Sequence, residues 1–140
     1  MKKNMKTSIQ ILAVLIFICN GIISSTSAKE VNVEQYEKLK QQAIDFENSL
    51  PPEINSQLNH SYGPILAEVF KQCVPVARPT SFEVISYVNK DGIAEKNWTM
   101  TPSQFGQCAK QVFYGQKLYS IDEKPFYAIL NFNLRQESDN

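Results

Sequence analysis

The sequence predicts an α+β domain in which N-terminal helices precede a β-β-α-β unit with a three-stranded antiparallel sheet and one disulfide. Between residues 33 and 73 apolar side chains recur at steps of three and four, which is typical of amphipathic helices. From residue 80 onward they alternate on both sides of an Asp-Gly pair, which is typical of a β-hairpin. A chain of 140 residues has room for one such domain.

The predicted organisation has four parts. Residues 1–28 are predicted to be a signal peptide, and 29–79 an N-terminal helical region. Residues 80–135 form the β-β-α-β unit, which makes one compact domain with the helices before it. The polar residues 136–140 are predicted to be a disordered tail.

The first segment has the three parts of a secretory signal peptide. It opens with three lysines, continues as an apolar stretch from Ile9 to Ile23, and ends in small residues before Ala28. We therefore expect cleavage after Ala28 and a periplasmic or secreted protein. A retained membrane anchor is the alternative, but 15 residues fall short of the roughly 20 that span a bilayer as a helix. A lipoprotein site at Cys19 is disfavoured because the large residues Phe17 and Ile18 precede it.

The charge balance bears on the class of partner. After cleavage, 11 basic and 14 acidic side chains remain, so the net charge of the exported chain is −3. It contains no basic stripe of the kind that binds nucleic acid and no polybasic run that would bind anionic lipid. We expect protein partners, no nucleic acid, and no stable membrane insertion once the signal peptide is removed.

Two cysteines remain in the exported chain, Cys73 and Cys108. In an oxidising compartment such a pair predicts one disulfide, and the absence of C-x-x-C spacing disfavours a redox-active pair. Cys73 follows Val69 and Phe70 on one apolar helical face, and Cys108 lies one turn after Phe105 on another. We expect their bond to clamp the helical region onto the β-β-α-β unit.

Two helices are predicted before the sheet. The first runs from about 33 to 49, with Asn32 as its N-terminal cap and Pro51-Pro52 as its end. Its apolar stripe consists of Tyr36, Leu39, Ala43, Phe46 and Leu50. The second helix ends near Gln72, with Pro64 in its first turn, whereas Ile54 and Leu58 are assigned to a separate short turn before it.

The sheet elements follow in order. Strand 80–88 should direct Phe82, Val84 and Val88 to one face and Ile85 and Tyr87 to the other. A turn at 89–92 returns the chain as strand 93–100, which carries Trp98. Thr101 is the predicted cap of a third helix, with Pro102 at its first position and Gly115 at its end. The last strand is predicted at 126–134.

This order of elements resembles the C-terminal domain of the TonB and TolA family. The residues that carry the resemblance are Phe82 to Val88, Asp91-Gly92, Cys108-Ala109 and Pro125-Phe126. They span about 55 of the 112 residues that remain after cleavage, and the cysteine pair is most similar to the TolA-type variant. The resemblance implies one helix packed on a three-stranded sheet. The family's transducers keep a membrane anchor and a long linker, which this chain lacks if its signal peptide is cleaved.

Groups for catalysis or metal binding are sparse in the sequence. His60 is the single histidine, and it lies in a polar stretch where surface exposure is expected. A zinc site needs three or four His, Cys or carboxylate ligands, and a catalytic triad would depend on this one imidazole. The glycines form no phosphate-binding loop. We expect no catalytic residues, no metal site and no cofactor, hence no enzyme.

The remaining candidate for function is a surface. Five residues are predicted to lie on the sheet face opposite the third helix or at its edge, where N-terminal helices cover them or a partner binds them: Ile85, Tyr87, Trp98, Tyr127 and Ile129. Trp98 is ambiguous between a core residue, which we favour, and an interface anchor. The leading hypothesis is a non-enzymatic periplasmic binding or adaptor protein that uses a sheet edge or this aromatic face. The alternative is an inhibitor or immunity protein against a toxin or a cell-wall hydrolase.

Overall fold

A three-stranded antiparallel sheet carries the fold and has helices against both of its faces. The computed structural model describes residues 31–135; the signal peptide, its cleavage site after Ala28 and the tail predicted at 136–140 lie outside the described residues. The elements are α1 (Val33–Ser49), α2 (Pro52–Cys73), β1 (Phe82–Val88), β2 (Ala94–Trp98), α3 (Gln104–Phe113) and β3 (Phe126–Phe132). The strand order is β2-β1-β3, with both pairs antiparallel. The predicted α+β class is confirmed.

The central strand β1 divides its side chains between two different environments. Phe82, Val84 and Val88 are buried in the main core, together with α2 and α3. Ile85 belongs to a second, smaller core that it forms with Tyr36 and Leu39 of α1. We call these two sides of the sheet the α3 face and the α1 face. The predicted division of β1 between two faces is confirmed, and each face has its own helical cover.

Helix α1 has the predicted bounds and the predicted cap. The Gln35 backbone N–H donates to the Asn32 side chain over 2.8 Å, which satisfies one of the free amides of the first turn. The helix ends because Leu50 and Pro51 each precede a proline, and the helical conformation is disfavoured for a residue in that position. Both residues have extended backbone angles.

The second helix is longer than predicted, and the prediction of a start near Pro64 is wrong. A single helix runs from Pro52 to Cys73 and contains Pro64 in its interior, on an exposed turn. Pro64 lacks the N–H that would bond one turn back, and Gly63 before it has no Cβ to clash with the proline ring. Burial of one continuous apolar face offsets that missing bond; its buried members are Leu58, Tyr62, Ile65, Val69 and Cys73.

The cap of α3 is Ser103 rather than the predicted Thr101. The Ser103 hydroxyl accepts from the Gly106 N–H over 3.1 Å. The Thr101 hydroxyl instead accepts from the backbone N–H of Glu83 over 3.2 Å, so it joins the loop to β1. Gly115, with a φ of 76°, directly follows Tyr114, the C-cap of this helix, so the helix ends at this glycine as predicted.

The predicted disulfide joins the two helices of the main core. Cys73, the last residue of α2, is bonded to Cys108 of α3, with 5.8 Å between their Cα atoms. The Cys73 side chain is fully buried, and Phe105 lies one turn earlier in α3, between the rings of Phe70 and Phe82. The bond therefore fixes the C-terminal end of α2 against the β-β-α-β unit.

The turn between β1 and β2 requires a glycine for two reasons. Gly92 has a φ of 81°, and a Cβ atom at this position would lie 2.5 Å from the carbonyl oxygen of Leu118. We expect Gly92→Ala to lower the free energy of unfolding by about 2–3 kcal/mol, since left-handed strain and a backbone clash add. Gly115→Ala is the matched control, because Gly115 also has positive φ but open space around it, and should cost about 1 kcal/mol. Urea denaturation measures both, and equal losses would contradict the role of the Leu118 contact.

Candidate functional site

The five residues of the predicted surface share the α1 face, but α1 covers them unequally. Ile85 is fully buried beneath the helix, and Ile129 is half-buried beside it. The other three, Tyr87, Trp98 and Tyr127, remain half-buried. We call these three residues the aromatic surface. Ile85 belongs to the small core and is not available to a partner while α1 is in place.

The rings of the aromatic surface contact one another across all three strands. The centroids of Tyr87 and Tyr127 are 5.5 Å apart, and those of Trp98 and Tyr127 are 6.2 Å apart. Trp98 also packs against the small core, so it is both a core contact and a partly exposed ring. The exposed Lys96 pairs with Tyr87 in the β1–β2 register and places a cation next to these rings.

The N-terminal half of α1 is anchored to the sheet by Glu83 of β1. The Tyr36 hydroxyl donates to Glu83 Oε1 over 2.9 Å, and Lys40 Nζ lies 2.9 Å from Oε2. Asn131 of β3 donates to the same carboxylate over 3.2 Å. Burial, followed by the hydrogen bond to Glu83, raises the pKa of Tyr36 above its ordinary value. One acid on the sheet therefore holds two side chains of the helix.

The C-terminal half of α1 is anchored by Glu47, which lies at the free edge of β3. The backbone N–H of Ile129 donates to Glu47 Oε1 over 3.1 Å, and the Tyr62 hydroxyl donates to the same oxygen over 3.3 Å. An edge strand leaves its outward N–H groups without a strand partner, and here a side chain of α1 supplies the acceptor. Burial raises the pKa of Glu47 even though both hydrogen bonds lower it.

The raised pKa of Glu47 makes stability depend on pH. Because the folded-state pKa exceeds the ordinary value of 4.5, the folded state binds the proton more tightly than the unfolded state. The contribution of Glu47 is therefore greatest below pH 4.5 and is lost as the pH rises through the folded-state pKa. We expect Glu47→Gln, which keeps an acceptor oxygen without a charge, to lack this decline and to be at least as stable as wild type at pH 7.

The check is chemical denaturation at a series of pH values, with Glu37→Gln as the control. Glu37 is an exposed residue of α1, so the control removes a similar charge without touching β3. The unfolding free energy of Glu47→Gln minus that of wild type should increase from acid to neutral pH. A constant difference, or one that shrinks, would contradict the assignment.

The two sheet edges are both partly occupied. At the outer edge of β2, the Ala94 N–H donates to the carbonyl of Gln116 over 3.0 Å and the Gly115 N–H donates to that of Ala94 over 2.8 Å. The following residues Glu95 and Lys96 are exposed charges on a short strand, a combination that opposes pairing with another strand. The geometry therefore favours the aromatic surface over either edge as a contact area.

His60 lies on an exposed turn of α2, as expected. Its Nδ1 atom is 2.7 Å from the carbonyl oxygen of Ser56 and 3.4 Å from the hydroxyl of the same residue. A ring nitrogen that donates to a carbonyl cannot at the same time accept the serine proton, so this pair is not arranged for nucleophilic attack. Over residues 31–135, no group of three or more His, Cys, Asp or Glu side chains could hold a metal ion.

No helix within the described part of the chain is both long enough and apolar enough to cross a membrane. No known protein family, curated protein or solved structure matches the chain.

Sequence reasoning missed the two carboxylates that hold α1 in place. Glu83 did carry a signal, since it is a charged residue on the same side of an apolar strand as Ile85 and Tyr87. Glu47 carried none, because on the helix pattern it is one of several polar residues expected to face solvent. Its partner is the backbone of Ile129, 82 residues away, and only the fold brings the two together.

Proposed function

We propose that this protein is an exported, non-enzymatic binding or adaptor protein with a domain of the TonB/TolA C-terminal type. It recognises a partner protein through the aromatic surface. The single observation that supports this proposal most is that three aromatic rings from three different strands, Tyr87, Trp98 and Tyr127, lie together on the α1 face and stay only half-buried.

Ring chemistry supports a protein partner. Tyrosine and tryptophan are enriched in the residues that dominate binding energy at protein interfaces, since they combine a large apolar area with a polar tip and few rotatable bonds. The Tyr127 ring contacts both other rings, and Tyr127 and Trp98 pack against the small core, so little side-chain freedom is lost when a partner covers them. Lys96 at the margin favours a partner with an acidic group beside its apolar contact.

A binding role also fits the hydrogen bonds that the half-buried glutamates make. Glu83 and Glu47 are half-buried carboxylates beside the α1 face, and both already accept hydrogen bonds, Glu83 from a side chain of α1 and Glu47 from the main chain of β3. Acid–base catalysis requires a carboxyl group within hydrogen-bond reach of substrate. The export role rests on the predicted signal peptide and fits the disulfide, since such bonds persist in oxidising compartments.

Site-specific photo-cross-linking in the native cell tests the proposal. A photoreactive phenylalanine analogue replaces Tyr127, and the same analogue at Glu53, an exposed residue near the start of α2, is the control. We expect a discrete adduct of higher mass from position 127 and none from position 53. No adduct at 127, or the same adducts from both positions, would contradict the proposal. An adduct with a toxin or a cell-wall hydrolase, with loss of that enzyme's activity on binding, would instead favour the inhibitor alternative.

A further inference from the structure

Helix α1 is attached to the domain differently from α2 and α3. Its contacts are made mainly with β3 and β1, and a linker of two residues, Leu50 and Pro51, joins it to α2. It buries only Tyr36, Leu39 and Ala43 of its 17 residues. The disulfide and the main core hold α2, α3 and the sheet together. Helix α1 reaches that core only at its C-terminal end, through Leu50 and through Phe46, whose ring stacks on Phe126 with 4.8 Å between the centroids.

The polar anchors of α1 are few and partly open to water. Lys40 and Glu83 both retain some side-chain exposure, 31% and 16%. Ion pairs of this kind contribute little to stability, because water screens them. Segments with small buried area and solvent-accessible hydrogen bonds open at lower free energy than the rest of a domain. By these criteria α1 detaches at a lower free energy than α2 or α3, which bury five residues each.

Detachment would complete the surface on which the proposed function depends. With α1 in place, Ile85 is fully buried and Ile129 half-buried, so the helix covers the part of the α1 face around Ile85. Without it, these two side chains become continuous with Tyr87, Trp98 and Tyr127, to which they are joined in the strand registers. The helix thus occupies part of a larger apolar face.

We propose that α1 is an autoinhibitory helix, and that an amphipathic helix of the partner protein takes its place on the α1 face. This inference rests on the proposed function. The face is already shaped for a helix, because Tyr36, Leu39 and Ala43 fit it at steps of three and four residues. Glu83 provides an acceptor for a tyrosine hydroxyl and a counter-charge for a lysine. The partner helix therefore carries an apolar stripe with a tyrosine or lysine placed like those of α1.

Native-state hydrogen exchange of the whole exported chain tests the detachment without any partner. The Ile129 amide is a specific reporter, since its N–H bonds to Glu47 rather than to a strand. Neighbouring amides along β3 point the other way, towards β1, because backbone groups alternate along an antiparallel strand. We expect the Ile129 amide to exchange together with the amides of α1, at least tenfold faster than those of Ala128 and Leu130. Exchange of all of them at one rate would overturn the inference.

A peptide with the sequence of residues 31–50 tests the choice of a helical occupant. Trp98 is the single tryptophan of the chain and packs against the small core, so its emission reports whether the α1 face is covered. Glu47→Ala should raise the detached population about tenfold and shift the emission to longer wavelength, whereas Glu37→Ala should do neither. Adding the peptide to Glu47→Ala should reverse the shift, and a peptide with Tyr36 and Leu39 replaced by serine should not.

The outcomes separate this inference from the proposed function. A shift that neither peptide reverses, or that both reverse equally, overturns the helical occupant. A cross-link at position 127 together with uniform exchange of α1 and β3 supports the binding role and overturns the autoinhibition. Fast exchange of α1 without any cross-link supports a detachable helix and contradicts the binding role.

Discussion

Replacing Cys73 and Cys108 together by alanine lowers the free energy of unfolding by about 3–4 kcal/mol. The bond closes a loop of 35 residues, and opening it gives the unfolded chain a corresponding gain in conformational entropy. The loss falls on the whole domain, because the bond joins the end of α2 to α3 within the main core. A domain of this size has a net stability of only about 5–15 kcal/mol, so the loss is a large share of it.

Urea denaturation of wild type and of the double alanine variant measures this effect. The control is wild type with a reducing agent present throughout, which should lose a similar amount because it removes the same cross-link. Thiol titration of the denatured, unreduced chain, produced without residues 1–28, should find no free thiol. Two free thiols per chain, or equal stability of wild type and variant, would contradict the structural role of the bond.

Replacing Tyr36 by alanine weakens the docking of α1 by about 3–4 kcal/mol. Tyr36 is 2% exposed, packs on Ile85 in the small core, and donates its hydroxyl hydrogen to Glu83. Loss of a buried aromatic side chain costs about 3–5 kcal/mol in most cores. Because α1 has few other buried residues, we expect the helix to detach in most molecules while the disulfide-bonded core stays folded.

Trp98 emission and far-ultraviolet circular dichroism together measure the Tyr36→Ala effect. The emission should shift to longer wavelength in the absence of denaturant, with only a partial loss of helical signal. Tyr36→Phe is the matched variant: it keeps the ring and loses the bond to Glu83, so it should cost about 1 kcal/mol and leave the emission near that of wild type. If Tyr36→Ala unfolds the whole domain in one transition, α1 is an integral part of the core, and the expected separate detachment of α1 is wrong.

The fold follows from the sequence wherever local patterns and packing agree. The alternation of apolar side chains predicted the two faces of β1, because side chains of a strand point to opposite faces with a period of two. The Asp-Gly pair predicted the hairpin turn, because the turn needs a residue with positive φ and glycine adopts it readily. The same holds for α1, where the Asn32 cap and Pro51-Pro52 mark both ends. At α2 the local expectation that a proline lies in the first turn of a helix was wrong. Burial of one long apolar face stabilises the helix enough to offset the hydrogen bond that Pro64 cannot make.

The site was only partly accessible from the sequence. The five surface residues do lie on one face, since strand alternation and the order of elements place them there. Which of them α1 covers depends on the contacts of Glu47 and Glu83. Glu47 bonds to Ile129, 82 positions away, and Glu83 bonds to Tyr36, 47 positions away. Contacts over such separations leave no periodic signal. The same applies to Thr101, whose hydroxyl bonds to the backbone of Glu83 and leaves the capping role to Ser103.

The most direct test of a binding role for the aromatic surface compares two tyrosines. Tyr87 belongs to that surface, whereas Tyr114, 70% exposed at the end of α3, lies outside it. The measurement is the dissociation constant of the partner captured at position 127, for wild type, Tyr87→Ala and Tyr114→Ala. The account predicts at least a tenfold weaker affinity for Tyr87→Ala, since truncating an aromatic anchor costs more than about 1.4 kcal/mol, and less than a twofold change for Tyr114→Ala. Equal affinities for Tyr87→Ala and wild type, or a larger loss for Tyr114→Ala, would contradict it.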